Sequence, residues 1–422
     1  MNLRVFQTSL AYKPAELFFA LWALCLPITS VVLFPAIQGT TPAYLLAFSS
    51  LPFAILLMQH KAGRTLRYLL FTIGMFLVLN SISQLSLQLA PELDLSSLRL
   101  VNDYNGQLLL RSSLFTQSIY LFAGLCTFAF IATFYKNSWD KYLFWGISFL
   151  ALYGLYEFFY FLLMGQNGDF LSNRIFDTGS SSSQGSLFQT FSFSGIRIMR
   201  LKSLTGEPSM YAFTVLPFWI HALHRRKTLV HVLLLITLIL TTSTTAILGV
   251  AMYLLIRLWY IKPLRSLAKG VLDKYLLFIF LLGVVGTVFI GPLIVGFIDE
   301  MIVDKLTLVN SSGASRFQYF TDSLRFFTDA PVLNQFFGIG FGYIRSTDFF
   351  STLLVNMGLV GFGLFTALFA YPIFKLRKTY FSFGIKAILV IIYITLMIAV
   401  PEFAYLSIWL YLGIAYKLLR TQ

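Results

Sequence analysis

Residues 297–365 read FIDEMIVDKLTLVNSSGASRFQYFTDSLRFFTDAPVLNQFFGIGFGYIRSTDFFSTLLVNMGLVGFGLF. This stretch gathers Asp299, Glu300, Asp304, Lys305, Arg316, Asp322, Arg325, Asp329, Arg345 and Asp348. The charges lead into a glycine-rich turn, GIGFG (338–342), and then into a long apolar run. Elsewhere charge is scarce. Of 422 residues, 58% are hydrophobic and 11% charged, and the mean hydropathy is +0.78. A globular domain carries about a quarter charged residues, so the chain reads as an all-α polytopic membrane protein, with 297–365 holding a charged segment outside the lipid.

A crossing takes roughly 20 apolar residues. On that measure the expected spans, about twelve, are 15–36, 43–58, 68–90, 112–135, 142–164, 209–224, 229–243, 245–261, 275–297, 350–374, 386–402 and 404–419. Alternate connections then sort by charge. One face receives Arg4, Lys13, Lys61, Arg64, Arg67, Lys136, Lys141, Arg225, Arg226 and Lys227. The same face takes Lys262, Arg265, Lys269, Lys274, Lys375, Arg377, Lys378, Lys386, Lys417 and Arg420, with few acids besides Asp140 and Asp273. Lys and Arg accumulate in cytoplasmic loops, so both termini are expected inside. The net charge of +14 is explained by that bias and by anionic lipid, and nucleic acid is not expected as a partner. The seventh and eighth spans are short and joined only by TTSTT (241–245), and a single helix there would reverse every later loop.

Two large loops fall on the other face, 165–208 and 298–349, beside a smaller one, 91–111, that carries Glu92, Asp94, Arg99 and Asp103. The first begins with a flexible polar run, DTGSSSSQGS, and ends in GIRIMRLKSLTGEPSMYAF, which leads into the sixth span. Cationic side chains on this face oppose the general bias. Arg197, Arg200 and Lys202 stand just before the sixth span, and Arg316, Arg325 and Arg345 on the second loop. Guanidinium presents a planar fork of donors to phosphate oxygens, so these six are candidate ligands of a lipid-linked phosphate or pyrophosphate. The alternative is pairing with Asp322, Asp329 or Asp348.

Pro208 fixes the start of the sixth span, with Thr205, Gly206 or Glu207 as its cap, so Glu207 stands at the helix N-terminus. The helix dipole keeps that carboxylate charged, which suits a cap or an orienter of Arg200 better than a base. Asp348, beside the tenth span, is a candidate base or a partner of Arg345. GIGFG either brings backbone N–H groups to an anion or lets the chain bend; without the Lys and Ser/Thr of a P-loop it does not predict nucleotide binding. Glu157 lies within the fifth span among Tyr153, Tyr156 and Tyr160, and an intramembrane carboxylate is a functional candidate that the tyrosines can also satisfy. His60, His221, His224 and His231 map to the basic face as interfacial residues without acidic or Cys partners for a metal. Cys25 and Cys126 sit in apolar runs and form no disulfide framework.

The order of these features resembles the bacterial O-antigen polymerase (Wzy-type) and O-antigen ligase superfamily. The resemblance is carried by Arg316, APVLNQFFGIGFG, Asp348 and STLLVNMGLVGFGLF, by RLKSLTGEPSMYAF, and by the Ser/Thr-rich LTTSTTAILG. It covers roughly residues 195–365. Ligases of that superfamily typically carry His where this chain has Asp348, which favours a polymerase, and relatives often have a basic residue where Thr244 and Thr245 stand. An RX10G string, Arg174 to Gly185, falls in the low-complexity loop and reads as chance.

The resemblance implies an inner-membrane glycosyltransferase acting at the periplasmic face on undecaprenyl-pyrophosphate-linked oligosaccharides. The growing glycan moves from its carrier to a hydroxyl of a new repeat unit. It implies Arg200 and Arg316 as catalytic cations, Arg197, Arg200, Lys202, Arg316, Arg325 and Arg345 as pyrophosphate ligands, and Asp348, then Glu207, as base. No cofactor and no metal is required, and a chain-length regulator and a flippase are the implied partner proteins. Ligase-type transfer and a lipid-linked oligosaccharide flippase or transporter are the rival readings. A transporter buries ionisable groups at mid-membrane, where this chain offers essentially Glu157. Dolichyl-phosphate-sugar-type transferases usually place an acidic pair in the first outer loop, and residues 36–42 hold no acid.

Overall fold

The structure, a computed structural model, describes residues 3–260 and 311–422 apart from 36, 58, 91–92, 102–109, 178–181, 185–186 and 194–195. The expected ninth span (275–297), the acidic start of the second loop (Asp299, Glu300, Asp304 and Lys305), the basic run from Lys262 to Lys274, and Glu92 and Asp103 lie outside the described residues.

The described chain is mostly helical: α1 (Leu3–Cys25), α2 (Pro42–Leu57), α3 (Gln59–Gln88), α4 (Ser112–Phe134), α5 (Asp140–Met164), α6 (Pro208–His224), α7 (Thr228–Leu240), α8 (Thr244–Tyr260), α9 (Ser311–Asp329), α10 (Val332–Phe337), α11 (Phe349–Lys375), α12 (Tyr380–Ala399) and α13 (Leu406–Thr421). Among the described residues five stretches are long and apolar enough to cross a membrane: Thr65–Gln88, Ser112–Phe134, Asn137–Met164, Phe349–Lys375 and Tyr380–Ala399. Lipid offers no hydrogen bonds, so apolar runs of this length form helices that satisfy their own backbone.

At the centre α4 packs along α13 through small residues. A Cβ on Gly124 would stand 2.3 Å from the Trp409 indole nitrogen, and one on Gly413 would stand 2.7 Å from Ile131. Removing those side chains lets the two helices close, the usual device where lipid supplies no hydrophobic drive between helices. Trp22, Phe130, Phe134 and Trp139 fill the space beside this pair, all 1% exposed or less.

The bundle has two distinct ends. At the basic end Glu16 meets Lys141 at 3.3 Å, Asp140 meets Arg225 at 2.5 Å, and Lys417 donates to the Thr133 carbonyl at 2.6 Å. At the loop end the connections lock together. The backbone N–H of Thr29 donates to Leu204, those of Asn173 and Arg174 donate to Ser30, and that of Val101 donates to Tyr343. A small second core, with Leu87, Leu95, Leu98, Phe326, Ile339, Tyr343, Ile344 and Val355, lies beneath these loops.

Three expectations change. The first span was expected over 15–36, but α1 stops at Cys25, because Pro27 has no N–H to continue the ladder and residues 29–32 bond instead to 173–174 and 204. The helix expected over 386–402 runs Tyr380–Ala399, since Pro401 interrupts it, and Glu402 thereby falls in a turn at the loop end. The polar run of the first loop is not wholly irregular: Ser182–Gln184 pairs antiparallel with Ile175–Asp177, and a second hairpin pairs Thr190–Phe193 with Ile196–Met199. Between α7 and α8 the chain turns at 241–243, with Thr242 at φ 47, so two helices stand there.

Candidate functional site at the loop end

The turn after α10 is built into a broken helix. Within α11 Gly358 adopts φ 64 and ψ −170, a conformation open essentially to glycine. The break leaves carbonyls of Val355 and Asn356 unpaired by their own helix, and they accept the N–H groups of Ile339 and Gly340, each at 3.0 Å. The Phe341 N–H donates to Asn80 at 3.1 Å. Ser86 donates to the Gly338 carbonyl at 2.7 Å, and Ser83 donates to that of Phe337. GIGFG therefore does not present these N–H groups to an anion: its glycines, at φ +76, +126 and +72, let the chain lie flat against α11.

That docking carries Arg345 to a cavity of about 300 Å³ whose walls come from distant parts of the chain. Arg174 arrives from the first large loop, Arg345 from the second, Tyr120 and Gln117 from α4, and Glu402 from the turn between α12 and α13. Arg174 is held by donation from Nη1 to the Thr29 carbonyl at 3.0 Å. Arg345 pairs through Nη2 with Glu402 Oε1. Asn356 clamps the residue before it, accepting from the Ile344 N–H at 2.9 Å and donating to the Ile344 carbonyl at 3.0 Å. Phe341, Phe349 and Phe403 form an aromatic wall, with ring centroids 5.3 and 6.1 Å from that of Phe403. Two cations, a carboxylate and apolar walls suit an anionic ligand with an uncharged, ring-bearing portion.

The residues expected to form the site separate into groups. Arg345 lines the cavity, but its partner is Glu402, not Asp348. Asp348 caps α11, accepting from the Ser351 N–H at 2.7 Å and its hydroxyl at 2.8 Å. Burial pushes its carboxyl above the ordinary value, against the opposing effect of those hydrogen bonds. Arg200 does not line the cavity. It donates to Gln189 at 2.7 Å, to the carbonyls of Thr241 and Thr242 at 3.3 and 3.2 Å, and to the Thr242 hydroxyl at 3.1 Å, so it ties off the end of α7. Burial pulls its guanidinium below the ordinary value, and Glu207 opposes that through space. No ion pair joins the two; Glu207 accepts from the Ser209 hydroxyl.

Lys202 is a correction. It is 0% exposed and enclosed by Glu157 at 3.2 Å and Asp169 at 2.7 Å, so no external phosphate reaches it. The same contact answers Glu157, whose partner is Lys202 and not a tyrosine. A buried ammonium needs such carboxylates to offset its lost hydration. Arg197 is exposed on its hairpin and donates to Thr190 at 3.0 Å. Arg316 and Arg325 are exposed on α9 and form no ion pair with a described residue. Thr347 donates to the Arg316 carbonyl at 3.3 Å, which brings α9 beside Asp348.

His221 and His224 are buried rather than interfacial. His221 packs beside Asp140 at 3.4 Å, while His224 meets the Tyr253 hydroxyl and the Tyr380 carbonyl, each at 2.9 Å.

Sequence reasoning missed two lining residues. Arg174 begins a chance motif, and its one signal in the sequence is that it is an arginine on the loop-end side. Glu402 was placed inside a span, although Pro401 beside it signalled the helix end. No protein-family model matches this sequence, and no match to it is found among curated proteins.

Proposed function

We propose that the chain is a polysaccharide polymerase of the O-antigen type, a multi-pass glycosyltransferase of a bacterial inner membrane. In this reading about twelve spans put the basic end in the cytoplasm and the loop end in the periplasm, following the charge bias. The donor is a glycan on undecaprenyl pyrophosphate, and the acceptor is a hydroxyl of a new lipid-linked repeat unit. A chain-length regulator and a flippase are the partner proteins it implies.

One observation carries the reading: Arg174 and Arg345, from the two large loops, meet Glu402 in a single aromatic-walled cavity at the loop end. Fixed cations stabilise the negative charge that develops on a leaving pyrophosphate. A carboxylate within reach accepts the proton of the attacking hydroxyl, and Glu402 faces the cavity where Asp348 is committed to a helix cap. The acceptor oxygen bonds to the anomeric carbon while the bond from that carbon to pyrophosphate breaks. The electron pair leaves on pyrophosphate, and the hydroxyl proton passes to Glu402 and then to solvent. In this reading Arg316 and Arg325, exposed on α9, meet the carrier before it reaches the cavity.

Glu157 weighs against transport, because this carboxylate within a span is closed off against Lys202 and Asp169 instead of lining a path. The test is complementation of a polymerase-deficient strain, scored on polysaccharide gels. Arg174→Ala and Arg345→Ala should each reduce the ladder to single repeat units at normal protein levels. Full ladders from both variants would refute the proposal.

A further inference from the structure

Arg345 and Glu402 both line the cavity and are joined by one contact, from guanidinium Nη2 to carboxylate Oε1. Their side chains are 47% and 27% exposed, so a ligand in the cavity can touch both. The remaining donors of the Arg345 guanidinium have no described partner, leaving most of its fork unused. Both backbones are held. Asn356 clamps Ile344 on one side. On the other, the Tyr44 hydroxyl donates to the Ala404 carbonyl at 2.7 Å and the Trp409 indole donates to that of Phe403 at 2.9 Å. Only the two side chains are left to move.

Resting on the transferase reading, we infer that the Arg345–Glu402 pair is a latch opened by the donor substrate. A pyrophosphate carries more charge than a carboxylate and takes the guanidinium fork through two oxygens, so it displaces Glu402 from Arg345. Arg174, anchored on Thr29, supplies a second cation to the same anion. The Glu402 oxygen that Arg345 occupied is then open to the acceptor hydroxyl. While the latch is closed the carboxylate is held against Arg345, and its release lets either oxygen turn to the acceptor hydroxyl. The device imposes an order, donor before acceptor, and it ties exposure of the base to the presence of the leaving group.

The latch predicts opposite effects of one substitution on binding and turnover. The purified chain in nanodiscs is titrated with undecaprenyl pyrophosphate, and transfer is measured separately with a lipid-linked repeat unit. Glu402→Gln and Glu402→Ala remove the internal competitor, so both should bind undecaprenyl pyrophosphate about tenfold more tightly than wild type. Both should also lose transfer by about a hundredfold or more. Arg345→Ala should weaken binding. A residue that merely supported the fold would weaken binding when replaced. Unchanged or weaker binding by both Glu402 variants, at wild-type melting temperature, would overturn the latch while leaving the transferase intact. Wild type that neither binds undecaprenyl pyrophosphate nor transfers glycan would overturn the transferase reading and the latch with it.

Discussion

Asn356 holds Ile344 by both edges of its amide, accepting from the N–H at 2.9 Å and donating to the carbonyl at 3.0 Å. The contact imitates one rung of an antiparallel ladder and sets the backbone from which Arg345 reaches the cavity. Asn356→Leu leaves both Ile344 groups buried without partners, at about 1–3 kcal/mol each. A lower melting temperature in detergent and loss of polymer are expected. Asn356→Asp keeps the acceptor but sets a second oxygen against the Ile344 carbonyl in a buried site, so it should also lower both at neutral pH.

Gly358 is the hinge of that arrangement. A Cβ there would sit 2.3 Å from the Phe336 carbonyl oxygen, on a backbone at φ +64. Gly358→Ala should cost about 1–3 kcal/mol, read as a loss of thermal stability. Gly363, whose Cβ would meet nothing within 4 Å, is the control and should tolerate Ala.

Lys202→Met isolates the buried ion cluster. It leaves Glu157 and Asp169 enclosed without their cation, a change worth about 3–5 kcal/mol. Expression and melting temperature should fall sharply, and adding Glu157→Gln with Asp169→Asn should recover much of the loss. Failure of the triple variant to recover would argue for a role beyond charge balance.

Asp348 has a pH signature with a definite sign. Burial raises its folded value above the ordinary 3.8, so the folded state holds the proton to higher pH than the unfolded chain does. Its contribution is fully present below that ordinary value and is lost as pH rises through the folded one. Asp348→Asn keeps an oxygen for the Ser351 N–H and removes the charge. Stability at neutral pH should hold or rise, the slope just above pH 3.8 should flatten, and polymerisation should persist. Loss of polymer by a normally folded Asn variant would restore Asp348 as the base.

Arg200→Ala should act on the fold rather than on the ligand. Its donors meet Gln189, Thr241 and Thr242, and their loss exposes the carbonyl end of α7, at about 1–3 kcal/mol. The expected result is a lower melting temperature with unchanged affinity for undecaprenyl pyrophosphate in the folded fraction.

Hydropathy alone determined that apolar helices dominate this chain, because roughly 20 consecutive apolar residues leave lipid as the stable surrounding. Charge scarcity likewise made the loop segments legible as the places where chemistry gathers, and Arg345 was visible that way. Partners were not legible, because ion pairs join residues far apart in the chain and obey no spacing. Lys202 and Arg200 stand two residues apart with the same charge, yet one is sealed between Glu157 and Asp169 and the other ties a helix end. Arg174 and Glu402 looked incidental until the fold set them beside Arg345. Burial and neighbours decide whether a charge is spent on the structure or left for a ligand, and those are properties of packing that only the tertiary structure supplies.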